Sequence, residues 1–98
     1  MNLRFHPRIQ HDINEVLDYY SERSLNAADR FWDDLHQRFR DIAEHPQHFG
    51  FINTTRGLRR VRLRKFPYLV IFYESAHGVK VTCVKHEKRH PLFGLKRR

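Results

Sequence analysis

Three arginines at alternate positions, Arg60, Arg62 and Arg64, are the residues of this chain best suited to hold phosphates. On an extended strand they project to one side, with their guanidinium groups about 6.5–7 Å apart. That stride is close to the one between successive phosphates of a nucleic-acid strand, and each guanidinium can grip a phosphate through two parallel hydrogen bonds. During RNA cleavage the same row would stabilise the charge that builds on the scissile phosphate. A row of like charge is also a guard against edge-to-edge aggregation of strands, and that reading stays open.

A second group, His86-Glu87-Lys88-Arg89-His90-Pro91, follows the last apolar segment. Two histidines beside an arginine and a lysine could supply a general base, a general acid and a phosphate clamp for attack by a ribose 2′-hydroxyl. This chemistry needs neither metal nor cofactor, and none is expected. No cysteine or carboxylate spacing completes a ligand set around His86 and His90. Each histidine alone also suits a surface or hydrogen-bonding role. Glu74 and Glu87, the only acids after residue 50, are read as neutralising nearby arginines. His6, His11, His36, His45, His48 and His77 fall on helix or loop surfaces and receive no role. Phe66, Tyr68 and Tyr73 could stack on a base, although Tyr73 reads better as core.

Charge along the chain is divided. Residues 1–50 hold nine acids against six arginines, a net −3, while residues 51–98 hold thirteen basic residues against two acids, a net +11. Such one-sided clustering builds a field that concentrates anions at one face. Nucleic acid or an acidic protein is the expected partner.

The elements that must position these residues follow from periodicity. Ile9, Ile13, Val16, Leu17 and Tyr20 recur at helical spacing, with Pro7 in the first turn. A second helix, capped by Asn26 and carrying Ala28, Phe31, Leu35, Phe39 and Ile42, is stopped by Pro46. The short link between them predicts an antiparallel hairpin. A short strand, Asn2 to Phe5, precedes it. After Gly50 the period becomes two: Leu58 to Lys65, Tyr68 to Tyr73 and Val79 to Lys85 read as an antiparallel meander, its middle strand buried on both faces. The expected fold is α+β, β-α-α-β-β-β, one domain over 1–98, with both helices on one face of an antiparallel sheet and the arginines on the other. The basic tail from Leu95 is expected to fray. Cys83 is the single cysteine, read as a small buried hydrophobe in a reducing, cytoplasmic protein. No segment has the length and apolarity of a membrane span or a secretory leader.

The chain resembles the RelE/ParE superfamily of bacterial type II toxin–antitoxin toxins, often called plasmid stabilization proteins. The likeness runs through Leu17-Asp18-Tyr19-Tyr20, Ala27-Ala28-Asp29-Arg30-Phe31, Ala43-Glu44-His45-Pro46 and Gly50. It continues in Gly57-Leu58-Arg59-Arg60-Val61, Phe66-Pro67-Tyr68-Leu69-Val70-Ile71-Phe72-Tyr73 and Val84-Lys85-His86-Glu87-Lys88-Arg89-His90-Pro91. The resemblance implies a microbial RNase-like fold and a toxin held in a hetero-oligomer by an acidic cognate antitoxin. In the branch that cuts mRNA on the ribosome, phosphate-binding residues map to Arg60, Arg62 and Arg89, and a C-terminal histidine maps to His90, with His86 beside it. Two positions depart from that branch: Leu69 stands after Tyr68 where cleaving members often have arginine, and no tyrosine follows Tyr73. The two departures count against cleavage, yet on the mapped residues ribosome-dependent mRNA cleavage is the first expectation. A DNA gyrase poison without nuclease activity, or a degenerate toxin that only binds its antitoxin, is the alternative.

Overall fold

The computed structural model describes residues 2–53 and 57–98, so Arg56 of the basic half lies outside the described residues. The chain runs β1 (Leu3–Phe5), α1 (Ile9–Ser21), α2 (Leu25–Glu44), a 3₁₀ turn (Pro46–His48), β2 (Phe51–Asn53), β3 (Leu58–Arg62), β4 (Tyr68–Ser75) and β5 (Gly78–His86). The α+β class and the helix hairpin expected from periodicity are present.

Helix α1 buries Ile9, Ile13 and Val16, and also Asp12, which the pattern had placed on a polar face. Helix α2 buries Ala28, Phe31, Leu35, Phe39 and Ile42. Its cap is Ser24 rather than Asn26: the Ser24 hydroxyl accepts the Ala27 N–H at 3.1 Å. Ser24 holds the extended backbone that a capping residue adopts, with φ −164° and ψ 115°. Pro7 lies just before α1 rather than in its first turn.

The sheet has the order β1-β5-β4-β3-β2. Strands β3, β4 and β5 form the antiparallel meander. Strand β1 joins β5 in parallel, so the sheet is mixed rather than wholly antiparallel. The parallel edge follows from connectivity, because the hairpin carries the chain from β1 to the far edge before the meander returns β5 beside it.

One face packs against the helices, with Phe31, Leu35, Phe39 and Ile42 meeting Val61, Leu63, Tyr68, Val70, Phe72, Val79, Val81 and Val84. The other face carries a smaller cluster of Leu58, Ile71 and Cys83, covered by Leu95 with Phe93 beside it. The tail therefore does not fray. Leu95 is 8% exposed, and Arg97 reaches back to Asp12 on α1. A middle strand apolar on both sides needs two covers, and the C-terminal segment is the second.

Candidate functional site

The register across the meander decides which side chains share a face. Arg60 stands opposite Ile71 and Arg62 opposite Leu69; Leu69 in turn faces Lys85. Cross-strand partners point to the same side of a sheet. Arg60 and Arg62 thus emerge on the face away from the helices, as the alternation predicts. Arg64 does not continue the row. Strand β3 ends at Arg62, and the buried Asp34 carboxylate accepts the N–H groups of Arg64 and Lys65 at 3.0 and 2.8 Å. The chain turns there, and the Arg64 guanidinium lies 3.5 Å from Asp41 of α2.

Two neutralising carboxylates sit where the charge pattern places them. Glu87 meets Arg62, Nε to Oε2, at 2.9 Å. Glu74 meets Arg59, Nε to Oε1, at 3.2 Å on the helix side. Among the described residues the Arg60 guanidinium has no hydrogen-bond or ion-pair partner. It borders a groove with Leu69, Lys85, Glu87, Arg89 and Pro91, of about 110 Å³, which is followed by a shallower depression bearing Arg62 and Lys88. Lys85 is 5% exposed. Its ammonium donates to the carbonyls of Pro91 and Phe93 at 3.0 Å and of His90 at 3.4 Å. Burial lowers its pKa, but the group is occupied in holding the C-terminal turn.

The histidines lie elsewhere. His86 stands opposite Tyr68, which belongs to the helix-side core. Their rings meet edge to face at 5.1 Å. His86 Nδ1 accepts the Lys88 N–H at 3.0 Å, and the ring lines a cleft against α1. The cause is a bulge in β5. Ile71 pairs with Cys83 and Phe72 with Val81, which leaves Thr82 as the extra residue and reverses the alternation beyond it. Had the alternation run unbroken through Thr82, Val84 and His86 would share the arginines' face. His90 is exposed and borders neither concavity; its Nδ1 accepts the Leu92 N–H at 3.1 Å. Arg89 stands at the seam, bordering both the groove and the cleft, with its guanidinium carbon 3.9 Å from the Phe93 ring centre.

The arrangement can bind an anion on the open face, through Arg60 with Lys88 and Arg89 near it. Proton transfer there would rest on Glu87, which is engaged by Arg62, or on a lysine, Lys85 being held by backbone carbonyls and Lys88 exposed. Burial pushes the Tyr68 phenol up to about 12, and its ring is on the other side. Among the described residues no group of three histidine, cysteine or acidic side chains is placed to hold a metal ion. Nor is any described helix long and apolar enough to cross a membrane.

Asp34, Asp12 and Arg97 position the site without having been singled out from the sequence. Each acts on a partner distant in the chain, and an isolated acid on an amphipathic helix carries no mark of such a partner.

A family model described as the ParE toxin of the type II toxin–antitoxin system parDE matches residues 3–91. Among solved structures, a chain described as the chromosomal ParDE TA system from P. aeruginosa superposes with a TM-score of 0.75 at 16% identity, covering 88% of this chain and 95% of that one. At that identity the likeness is one of fold. No curated protein matches.

Proposed function

The chain belongs to the ParE toxin family of type II toxin–antitoxin systems, and from that premise we propose that it is a toxin acting by binding, with DNA gyrase as its target and an acidic antitoxin as its neutraliser. The observation that carries this reading is the separation of Arg60 from both histidines. General acid–base catalysis needs a proton carrier within about 2.6–3.2 Å of the reacting group, directly or through one water. His86 is turned to the helix side by the β5 bulge, and His90 borders neither concavity. A phosphate held by Arg60, Arg62 and Arg89 would have no histidine beside it, and the proton carriers bordering it are Glu87, paired with Arg62, Lys85, spent on backbone carbonyls, and the exposed Lys88.

What remains is a binding surface. Arg60, Lys88 and Arg89 present positive charge with little acidic compensation, which suits gyrase or its bound DNA. The same charge suits an acidic antitoxin, because covering such a face is favourable only against complementary charge.

The test is supercoiling by purified gyrase in the presence of the toxin, alongside mapping of mRNA 5′ ends in cells expressing it. Inhibited supercoiling with intact messages is the expected result, and Arg60→Ala should weaken the inhibition. Unimpaired supercoiling together with fresh cuts in translated frames would replace this reading with ribosome-dependent cleavage of mRNA.

A further inference from the structure

The cleft between α1 and the ends of β4 and β5 is separate from the open face and has its own chemistry. It encloses about 300 Å³, at the small end of the range of about 300–1,000 Å³ typical of small-ligand sites. Its floor is apolar, from Val16 and Val84.

The charges around it are unevenly satisfied. Asp12 is saturated, since its carboxylate accepts from both terminal nitrogens of Arg97 and from the Val84 N–H. Glu15 lies 2.9 Å from His11 Nε2. Lys85 spends its donors on backbone carbonyls. Arg8, at the start of α1, and Arg89, beyond the end of β5, also line the cleft. Among the described residues neither has a carboxylate within ion-pair distance. The unpaired cations of the cleft are therefore two guanidinium groups, set against the single carboxylate of Glu15, whose His11 partner carries charge only when protonated; each guanidinium can grip a phosphate through two hydrogen bonds.

The remaining wall is aromatic. Tyr19 is 48% exposed, with the Arg23 guanidinium 3.7 Å over one face of its ring, and His86 stands edge to face against Tyr68. Such rings stack on a nucleobase without requiring a particular sequence.

We propose that this cleft binds a nucleoside monophosphate, its phosphate held by Arg8 and Arg89 and its base against Tyr19 and His86. Arg89 also borders the groove that contains Arg60. Occupancy of the cleft would hold Arg89 on the helix side and so withdraw one cation from the face that meets the target.

The test is calorimetric titration of the folded 98-residue chain with adenosine monophosphate, adenosine and inorganic phosphate. Saturable binding of the monophosphate is expected, with adenosine and phosphate each at least about tenfold weaker. Arg8→Ala should weaken the monophosphate about tenfold, the loss of one charge-assisted contact. Arg40→Ala, on the far helix, should not. Absence of saturable binding overturns the proposal. So does phosphate binding as tight as the monophosphate, which would leave the aromatic wall without a role. Binding that survives Arg8→Ala but is lost in Arg60→Ala would put the ligand on the open face and overturn it as well.

Discussion

Asp12 and Arg97, separated by 85 residues, form a two-pronged ion pair: Nη1 lies 2.6 Å from Oδ2 and Nη2 3.1 Å from Oδ1. The pair is nearly closed to water, with side-chain exposures of 13% for Arg97 and 4% for Asp12. Asp12 also accepts the Val84 N–H at 3.0 Å, and Arg97 also donates to the Thr82 carbonyl at 3.1 Å. One contact set thus joins α1, the β5 bulge and the tail. Removing one partner leaves the other charge buried, which costs about 3–5 kcal/mol. Arg97→Ala should lower stability by that amount in chemical denaturation. Asp12→Ala/Arg97→Ala together should cost well below the sum of the two single changes, because the second removes a charge the first has stranded. Additive losses would mean that the pair does not act as a unit.

Gly94 is the hinge that brings the tail down onto the sheet. Its φ is +78°, and a Cβ there would stand 2.5 Å from Cys83 Sγ. Gly94→Ala therefore meets both backbone strain and a clash, and a loss of about 2–4 kcal/mol is expected. Combining it with Cys83→Ala removes the nearer obstacle and should restore part of the loss. No recovery in the double variant would place the whole cost in the backbone conformation.

How much of this was legible in the sequence differs from element to element. The alternation from Leu58 to Leu63 is enough to send Val61 and Leu63 inward and Arg60 and Arg62 outward, because the pleat fixes a period of two. Arg64 broke the row because Asp34, 30 positions away, captures its N–H and ends the strand. The side of His86 was hidden for a different reason. A bulge adds one residue without changing composition, and Thr82 sits in an unbroken β-rich run. The basic tail reads as solvated because nothing near it in the chain announces the buried Asp12 as its partner.

Asp34 is 8% exposed and accepts both N–H groups at the end of β3. Asp34→Ala leaves those donors without their acceptor, so a loss of about 2–3 kcal/mol is expected. Hydrogen exchange should report it locally, with protection falling at Arg64 and Lys65 before it falls in β3 itself. Unchanged exchange at those two amides would show that water replaces the carboxylate at little cost.

Cys83 is fully buried, and burial pushes its thiol from 9.0 to about 11. A thiol whose folded pKa is raised contributes stability that is fully present below about 9 and is lost as pH rises to about 11. Buried Lys85, whose pKa is lowered, acts in the opposite direction. The difference between the parent chain and Cys83→Ala isolates the thiol. That difference should shrink by an amount on the order of 2 kcal/mol across the window. At pH 8 a thiol reagent should label Cys83 only as fast as the protein opens, and prompt labelling of the folded state would contradict the burial.

Glu87 restrains the open face more than it stabilises the fold. Its bond to Arg62 joins side chains that are 36% and 48% exposed, and such pairs contribute at most about 1 kcal/mol. Glu87→Gln should therefore leave the melting temperature nearly unchanged. Its effect should appear in binding, because Arg62 is then free to meet a phosphate beside Arg60. Measured by fluorescence anisotropy on a short duplex over a salt series, the variant should bind more tightly. The slope of log K against log salt should steepen by about 1, the signature of one more phosphate contact. Arg60→Ala should flatten it by about the same amount. If neither change moves the slope, the open face does not read a polyanion, and its positive charge would serve the protein partners proposed for it instead.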